Sequence, residues 1–375
     1  IGNPQKITII VSPSSLENQW KSEIKKFCPS SIKVLDIFDY ETKKGDNNVI
    51  ITSYHKLMYN FTSHLETYME NTGGRFEIDR IICDEAHFFR NSKSVSFKSL
   101  DRIDTKYRWA LSGTPIQNYL SDIKTLFKFL RLDDMELDDN IRDNMLRRTQ
   151  GEVNLGLTKV KIKLLFVDIE NDDDNYYRRV DDNLDMHHLE KSLRLRQVCV
   201  VPSSVSGILK DKYKISDDEK LSCVKLLKII STLKKNKGRE KPIVFVYFKS
   251  EITYLYQNLR KDFNIGVIYG GVPQIVRKEI IEDKTIDLMI IQINSGGTGL
   301  NLQHFNSVYF TSPQWNPEIE AQAIARVNRI GQKDTVIVRR FIVGNLKKDT
   351  IEKRILTIQK RKKELIDKWV NGVKD

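Results

Sequence analysis

Two adjacent carboxylates, Asp84 and Glu85, open the string Asp84-Glu85-Ala86-His87 directly after an apolar run, Ile78-Asp79-Arg80-Ile81-Ile82-Cys83. Hydrolysis of a nucleotide needs one carboxylate to hold Mg²⁺, usually through its water shell, and a second to orient or deprotonate the attacking water. Ligands of open α/β sheets bind outside the carboxyl ends of the strands, so an acid pair at such an end suits that division of labour. On this reading Asp84 takes the metal and Glu85 the water. Taken alone, the string fits a surface acid pair as well. Further on, Leu111-Ser112-Gly113-Thr114-Pro115-Ile116-Gln117-Asn118 follows another apolar run with small, hydroxylated residues that could approach the acids closely and hydrogen-bond to them. By itself Ser-Gly-Thr-Pro is more simply a turn.

Two later strings complete the set. Ser295-Gly296-Gly297-Thr298-Gly299-Leu300-Asn301-Leu302 places three glycines within four positions, which lets main-chain N–H groups face a phosphate without Cβ obstruction. Gln322-Ala323-Ile324-Ala325-Arg326-Val327-Asn328-Arg329-Ile330-Gly331-Gln332 carries two arginines three residues apart. On a helix both guanidinium groups would share one face and, aimed at a γ-phosphate, could stabilise transition-state charge. The simpler alternatives are a glycine turn and a solvated basic helix end that complements the helix dipole.

The elements that must position these groups alternate in kind. Ile7-Thr8-Ile9-Ile10-Val11, Val49-Ile50-Ile51, residues 78–83 and residues 107–111 read as strands, with amphipathic helical stretches over 16–27, 94–103 and 122–130. From Pro242 the pattern returns, with strands at 243–247, 266–269, 286–291 and 307–310 and helices at 251–262, 273–281 and 317–327. Near-continuous apolar strands separated by helices imply parallel sheets covered on both faces. The expected fold class is α/β, with two parallel-sheet lobes. Residues 1–150 form the first lobe, 151–220 a helical bridge, 221–345 the second lobe and 346–375 a basic brace helix running from 347 to about 369.

A chain of 375 residues accommodates two such domains. Its formal charge of +12 favours polyanionic partners, because each cation that neutralises a phosphate releases counterions. The four cysteines, Cys28, Cys83, Cys199 and Cys223, form no C-x-x-C pair. That excludes a zinc ribbon or RING insert within this chain and fits a reducing, intracellular compartment. The adjacent His187 and His188 would diverge on a helix, so a metal site built from protein side chains alone is not expected. No apolar run is long enough to span a bilayer.

The order of the strings is more specific than any one of them. Acid pair, Ser-Gly-Thr-Pro, glycine loop and spaced arginines together resemble a superfamily-two helicase motor and, within it, the Swi/Snf family. Further matches are P-S-S-L-E-N-Q-W (13–20), I-T-S-Y (51–54), D-E-A-H-F-F-R-N (84–91), M-L-R-R-T (145–149), L-R-Q-V-C (195–199), Q-W-N-P (314–317) and R-I-G-Q (329–332). Thr350-Ile351-Glu352 followed by Ile358-Gln359-Lys360 resembles the family's closing brace, so the resemblance covers essentially the whole chain. R-I-G-Q and W-N-P argue against the RNA helicases that share the acid pair. L-S-G-T-P-I-Q-N and L-R-L-R-Q resemble most the branch of post-replication-repair and transcription-termination ATPases.

The resemblance implies a DNA-dependent ATPase that moves along double-stranded DNA without separating its strands and displaces or remodels a DNA-bound protein complex such as a nucleosome, polymerase or repair factor. It implies that the two lobes are RecA-like, with ATP and Mg²⁺ as cofactors. Catalysis falls to Asp84, Glu85, Arg326 and Arg329, with His87, Gly299, Asn301 and Gln322 beside the nucleotide. Pro13, Ser14, Thr52, Ser53, Gly296, Gly297 and Trp315 would touch the DNA backbone, and Ser112, Gly113 and Thr114 would couple the two activities. The expected compartment is intracellular: the nucleus in a eukaryote, otherwise the cytoplasm or a viral factory.

The match departs from the family in places. The G-x-G-K-T loop that grips the β- and γ-phosphates is not in this sequence, and the first residue is Ile1 rather than Met. The expectation is a fragment of a longer protein, inactive alone; the alternative is a catalytically inactive DNA-binding or partner-docking module. Asn294 stands where the family often has a basic DNA contact, and Asn328 where a His is usual between the arginines.

Overall fold

Apolar β-branched strands build two parallel sheets, one in each of two units: residues 1–147 with 362–375, and residues 148–361. The computed structural model describes residues 5–36, 47–61, 76–113, 115–116, 119–132, 136–148, 152–153, 156–169, 172–215, 221–296, 300–344, 349–366 and 368–369.

In the first unit the strands are β1 (Gln5–Ser12), β2 (Ile32–Asp36), β3 (Asn47–Ser53), β4 (Phe76–Cys83) and β5 (Tyr107–Ala110), in the order β2-β3-β1-β4-β5. Strand β1 is buried on both faces, as a central parallel strand must be. Ile7, Ile9 and Val11 pack with Tyr54, Phe89, Phe97 and Phe129, while Ile10 packs with Ile51 and with Ile24 of the helix Glu17–Phe27. The register pairs Val11 with Thr52 and Cys83, and Cys83 with Ala110, so these strands end on one rim. The chain steps outward from β1 to β2 and β3, then to the other side for β4 and β5, which puts the topological switch between β1 and β4.

The second unit holds β6 (Val160–Val167), β7 (Pro242–Val246), β8 (Ile265–Ile268), β9 (Leu288–Gln292), β10 (Ser307–Phe310) and β11 (Val336–Val343), ordered β6-β11-β10-β7-β9-β8. Val244, Val246, Leu288, Ile290 and Tyr309 face the helices Val224–Lys235 and Lys249–Leu259. On the other face Ile243, Phe245, Met289, Ile291 and Phe310 pack against Ala323 and Val327 of the helix Pro317–Val327. The switch here lies between β7 and β10.

Two differences from the sequence reading concern the bridge and the last strand. Residues 151–220, expected to be a helical bridge, begin with β6, which pairs with β11 over its whole length. Neither strand was expected; in β11 Arg339 and Arg340 interrupt the apolar run. Arg339 forks onto Glu240 at 2.7 and 2.8 Å, and the Arg340 side chain forms an ion pair with Glu320 at 2.8 Å. The rest of the stretch, with helices Asp172–Asp181, His188–Val198 and Ser206–Tyr213, packs its Tyr176, Tyr177, Leu195 and Leu209 against Ile351 and Ile355. The closing helix spans Ile351–Ile366 and starts later than expected, at Ile351. Its last residues belong to the first unit, where Ile366 packs beside Ile116, Ile123 and Phe127.

Candidate functional site

Asp84 emerges at the β1/β4 switch. Its N–H still donates to Val11 O at 2.8 Å, so the main chain stays paired up to the acid itself. Three groups then fix it. The Trp20 indole Nε1–H, from the helix after β1, donates to Asp84 Oδ2 at 2.9 Å, and the Glu85 N–H donates to Oδ1 at 2.9 Å. The Tyr54 hydroxyl, from the end of β3, donates to Asp84 O at 2.8 Å. Burial raises the Tyr54 pKa, with Cys83, Asp84 and Glu85 adding to the shift, so the phenol stays protonated and remains a donor. The bonds from Trp20 and the Glu85 N–H are charge-assisted, the strong kind, and hold the carboxylate in one orientation, while Tyr54 fixes the main chain.

Glu85 adopts left-handed backbone angles, φ 52° and ψ 49°, which an L-residue with a side chain enters only at a cost. The twist starts a short turn, Ala86–Phe89, and leaves Glu85 Oε2 buried. His87 Nδ1 stands 3.1 Å from that oxygen without forming an aligned hydrogen bond. A buried carboxylate oxygen short of donors is suited to accept from a water molecule. The acid segment is clamped to the next strand end by main-chain bonds, Ala86 N–H to Leu111 O and Leu111 N–H to Cys83 O, both at 2.8 Å. The predicted coupling string thus meets the acids through the Leu111 backbone. Ser112 is half-buried and Gly113 exposed, while Thr114 lies outside the described residues.

Among the described residues no group of three or more His, Cys, Asp or Glu could enclose a metal. One oriented carboxylate, Asp84, fits Mg²⁺ held through water together with substrate phosphates, rather than an all-protein cage. The four cysteines are free. No helix of the described residues is long and apolar enough to cross a membrane.

The other first-unit candidates line the same rim, since Ser12 pairs with Ser53. Ser14 is exposed at the start of the turn Ser14–Leu16, while Pro13 is buried and its carbonyl accepts the Leu16 N–H at 2.8 Å. Thr52 and Ser53 are buried, and the Ser53 hydroxyl accepts the Lys56 N–H. Their side chains therefore face protein, and Ser14 is the hydroxyl of this set open to solvent.

In the second unit Gly296 ends the short turn Ile293–Gly296; Gly297 and Gly299 lie outside the described residues, and Asn301 is exposed. Trp315 and Gln322 are half-buried. The shared helical face expected for the two arginines is not formed. The helix ends at Val327, and Asn328, with φ −86° and ψ 80°, turns the chain away. Arg326 sits half-buried in the last turn, whereas Arg329 is exposed beyond it. Asn328 is buried and its Oδ1 accepts from the Thr158 hydroxyl at 3.0 Å, an anchor 170 residues away in sequence. Arg277 was not anticipated. Its guanidinium donates to Val272 O at 2.8 Å, Tyr269 O at 2.9 Å and Ser295 O at 3.2 Å, tying the β8 loop to the start of the glycine loop. Its position on an amphipathic helix gave no sign of this.

Two family models match the chain in succession, the SNF2-related domain over residues 3–137 and the helicase conserved C-terminal domain over residues 222–331. The chain belongs to the SNF2 family. Its members are helicase-like, ATP-dependent ATPases. The chain is 25% identical to the DNA repair protein RAD5B of Arabidopsis thaliana over 96% of its length and 40% of that protein. It is 28% identical to an uncharacterized ATP-dependent helicase of Mycoplasma pneumoniae, over 96% of the chain and 37% of the relative. Transcription termination factor 2 of Drosophila melanogaster is 24% identical, over 98% of the chain and 49% of the factor. The chain thus spans less than half the length of each of these three relatives.

Proposed function

We propose that this SNF2-family chain is part of an ATP-driven double-stranded DNA translocase that displaces or remodels proteins bound to DNA. The observation that carries the reading is the acid pair at the β1/β4 switch, with Asp84 oriented by Trp20 and Tyr54 and Glu85 held in a left-handed turn. Asp84 would hold Mg²⁺ through water, and the ion would neutralise charge on the ATP phosphates. Glu85 would accept a proton from the attacking water. Arg326 and Arg329 are assigned to nucleotide phosphate charge, and His87, Gln322, Asn301 and Gly299 to nucleotide contacts. Ser14, with the main chain at Pro13, Thr52 and Ser53, and Gly296, Gly297 and Trp315 are assigned to the DNA backbone. Contacts of that kind carry little sequence preference. The names of the repair and transcription-termination relatives, and the net charge of +12, support DNA as the partner.

The test is ATP hydrolysis by the full open reading frame, with and without duplex DNA, beside Glu85→Gln. Turnover that duplex stimulates and Glu85→Gln abolishes supports the motor. Salt-sensitive DNA binding without any turnover overturns it and leaves a DNA-binding module.

A further inference from the structure

The β7/β10 switch of the second sheet, where an open α/β sheet usually receives a ligand, is filled by buried charge. The segment leaving β10 is held residue by residue. The Thr311 hydroxyl donates to Phe245 O at 3.3 Å, and buried Glu251 Oε1 accepts the Tyr247 and Phe248 N–H groups at 3.0 and 2.8 Å. Lys225 Nζ donates to Ser312 Oγ at 3.3 Å and pairs with Glu352 at 2.6 Å. Arg196 Nη2 donates to Pro313 O at 3.1 Å, its guanidinium 4.0 Å from the centre of the Tyr247 ring. The Gln314 N–H donates to Glu320 Oε1 at 2.9 Å, and Gln314 O accepts from Gln359 Nε2 at 2.5 Å. Gln359 Nε2 also reaches Glu320 Oε1 at 2.9 Å. Arg196, Lys225, Glu251, Glu320 and Glu352 are each at most 1% exposed.

Burying that many charges costs several kcal/mol per ion before pairing, and an apolar plug would be cheaper. A polar network is worth that cost where it imposes one conformation, because satisfied buried networks are rigid and directional. The residue that follows is Trp315, and the helix Pro317–Val327, capped by Asn316, begins immediately after it. The closing helix enters through Gln359, whose amide meets the main chain one residue before Trp315.

We propose that Gln359 is a positioning residue: it sets the main chain at Gln314 and so presents Trp315 to duplex DNA in a single pose. The inference rests on the reading of Trp315 as a DNA contact. It makes the closing helix part of the DNA-binding apparatus, acting through the loop rather than touching nucleic acid.

The experiment uses the full open reading frame with Gln359→Met, Trp315→Ala and the double variant. Glu320 keeps its Gln314 and Arg340 partners in Gln359→Met, so the fold should persist, checked by melting. Two quantities are read: amide hydrogen exchange of the peptide covering 312–319, and duplex affinity by fluorescence anisotropy. The expected results are exchange at Gln314 and Trp315 faster by about tenfold, an affinity loss of about tenfold, and a double variant no weaker than Trp315→Ala alone. Unchanged exchange overturns the proposal, and so do additive affinity losses. If Trp315→Ala leaves affinity untouched, the DNA reading of Trp315 is what fails, and the link from Gln359 to DNA falls with it; exchange then reports on the loop alone.

Discussion

Lys225 Nζ lies 2.6 Å from Glu352 Oε1 with both side chains wholly buried, joining the helix Val224–Lys235 to the first turn of the closing helix. Glu352 Oε2 also accepts the Val343 N–H at 2.8 Å, so one carboxylate satisfies an ammonium and the end of β11. Removing one partner strands the other charge. Lys225→Met should destabilise the protein by about 3–5 kcal/mol. Lys225→Met with Glu352→Leu should be less damaging than Lys225→Met alone, because the double change strands no charge and leaves the Val343 N–H without its acceptor, a cost of about 1–3 kcal/mol, and the Ser312 hydroxyl without its long bond from Lys225. Chemical denaturation of the parent, Lys225→Met and the double variant measures both, and a double variant worse than Lys225→Met would contradict the account.

Trp20→Phe keeps the ring packing and removes the indole donor to Asp84. The fold should survive, while duplex-stimulated turnover of the full reading frame falls by about tenfold, the worth of one charge-assisted bond. Unaltered turnover would show that Tyr54 and the Glu85 N–H suffice to orient the acid.

Acid should undo one helix junction before others. Half-buried Glu190 accepts from the Tyr213 hydroxyl at 2.6 Å, Lys212 at 2.9 Å and Arg194 at 3.2 Å. Those donors, Tyr213 first, pull its pKa from 4.5 down to about 2. A depressed carboxylate pKa adds stability above the unfolded value and loses it as pH falls towards the folded one. The melting difference between the parent and Glu190→Gln should therefore narrow between pH 4.5 and about 2. A difference that stays constant over that window argues against the junction.

Gly266 on β8 is there for want of space. A Cβ would meet Ile286 Cδ1 and Met289 Sδ at 2.8 Å and Ile280 Cγ2 at 2.9 Å. Gly266→Ala should cost about 1–3 kcal/mol through overpacking, read as a lowered midpoint in denaturant.

The sequence was most readable where local pattern and tertiary role coincide. The runs at Ile7 and Ile243 are apolar because both faces are covered, and they became β1 and β7. The strand β11 was hidden by Arg339, whose partner Glu240 lies 99 residues away. The acids were visible as a string, but the Trp20 that orients Asp84 stands 64 residues earlier, and no spacing rule points to it. The two arginines failed as a helical pair because Asn328 is drawn out of helical geometry, its side chain bonded to Thr158. Long-range polar partners were thus the unreadable part, since each is set by the fold rather than by its neighbours in sequence.

The backbone angles of Glu85 bear on how this position evolves. A left-handed residue with a side chain gives up about 1–2 kcal/mol that glycine would recover. Drift under demand for folding alone would therefore favour glycine or asparagine at position 85, whereas the role proposed for the carboxylate would retain Glu85. A pooled substitution library scored separately for cellular abundance and for duplex-dependent turnover should rank Glu85→Gly at or above the parent on the first scale and among the dead on the second. Position 85 would then carry a mark of selection for chemistry against stability, legible in a population of sequences without any structure.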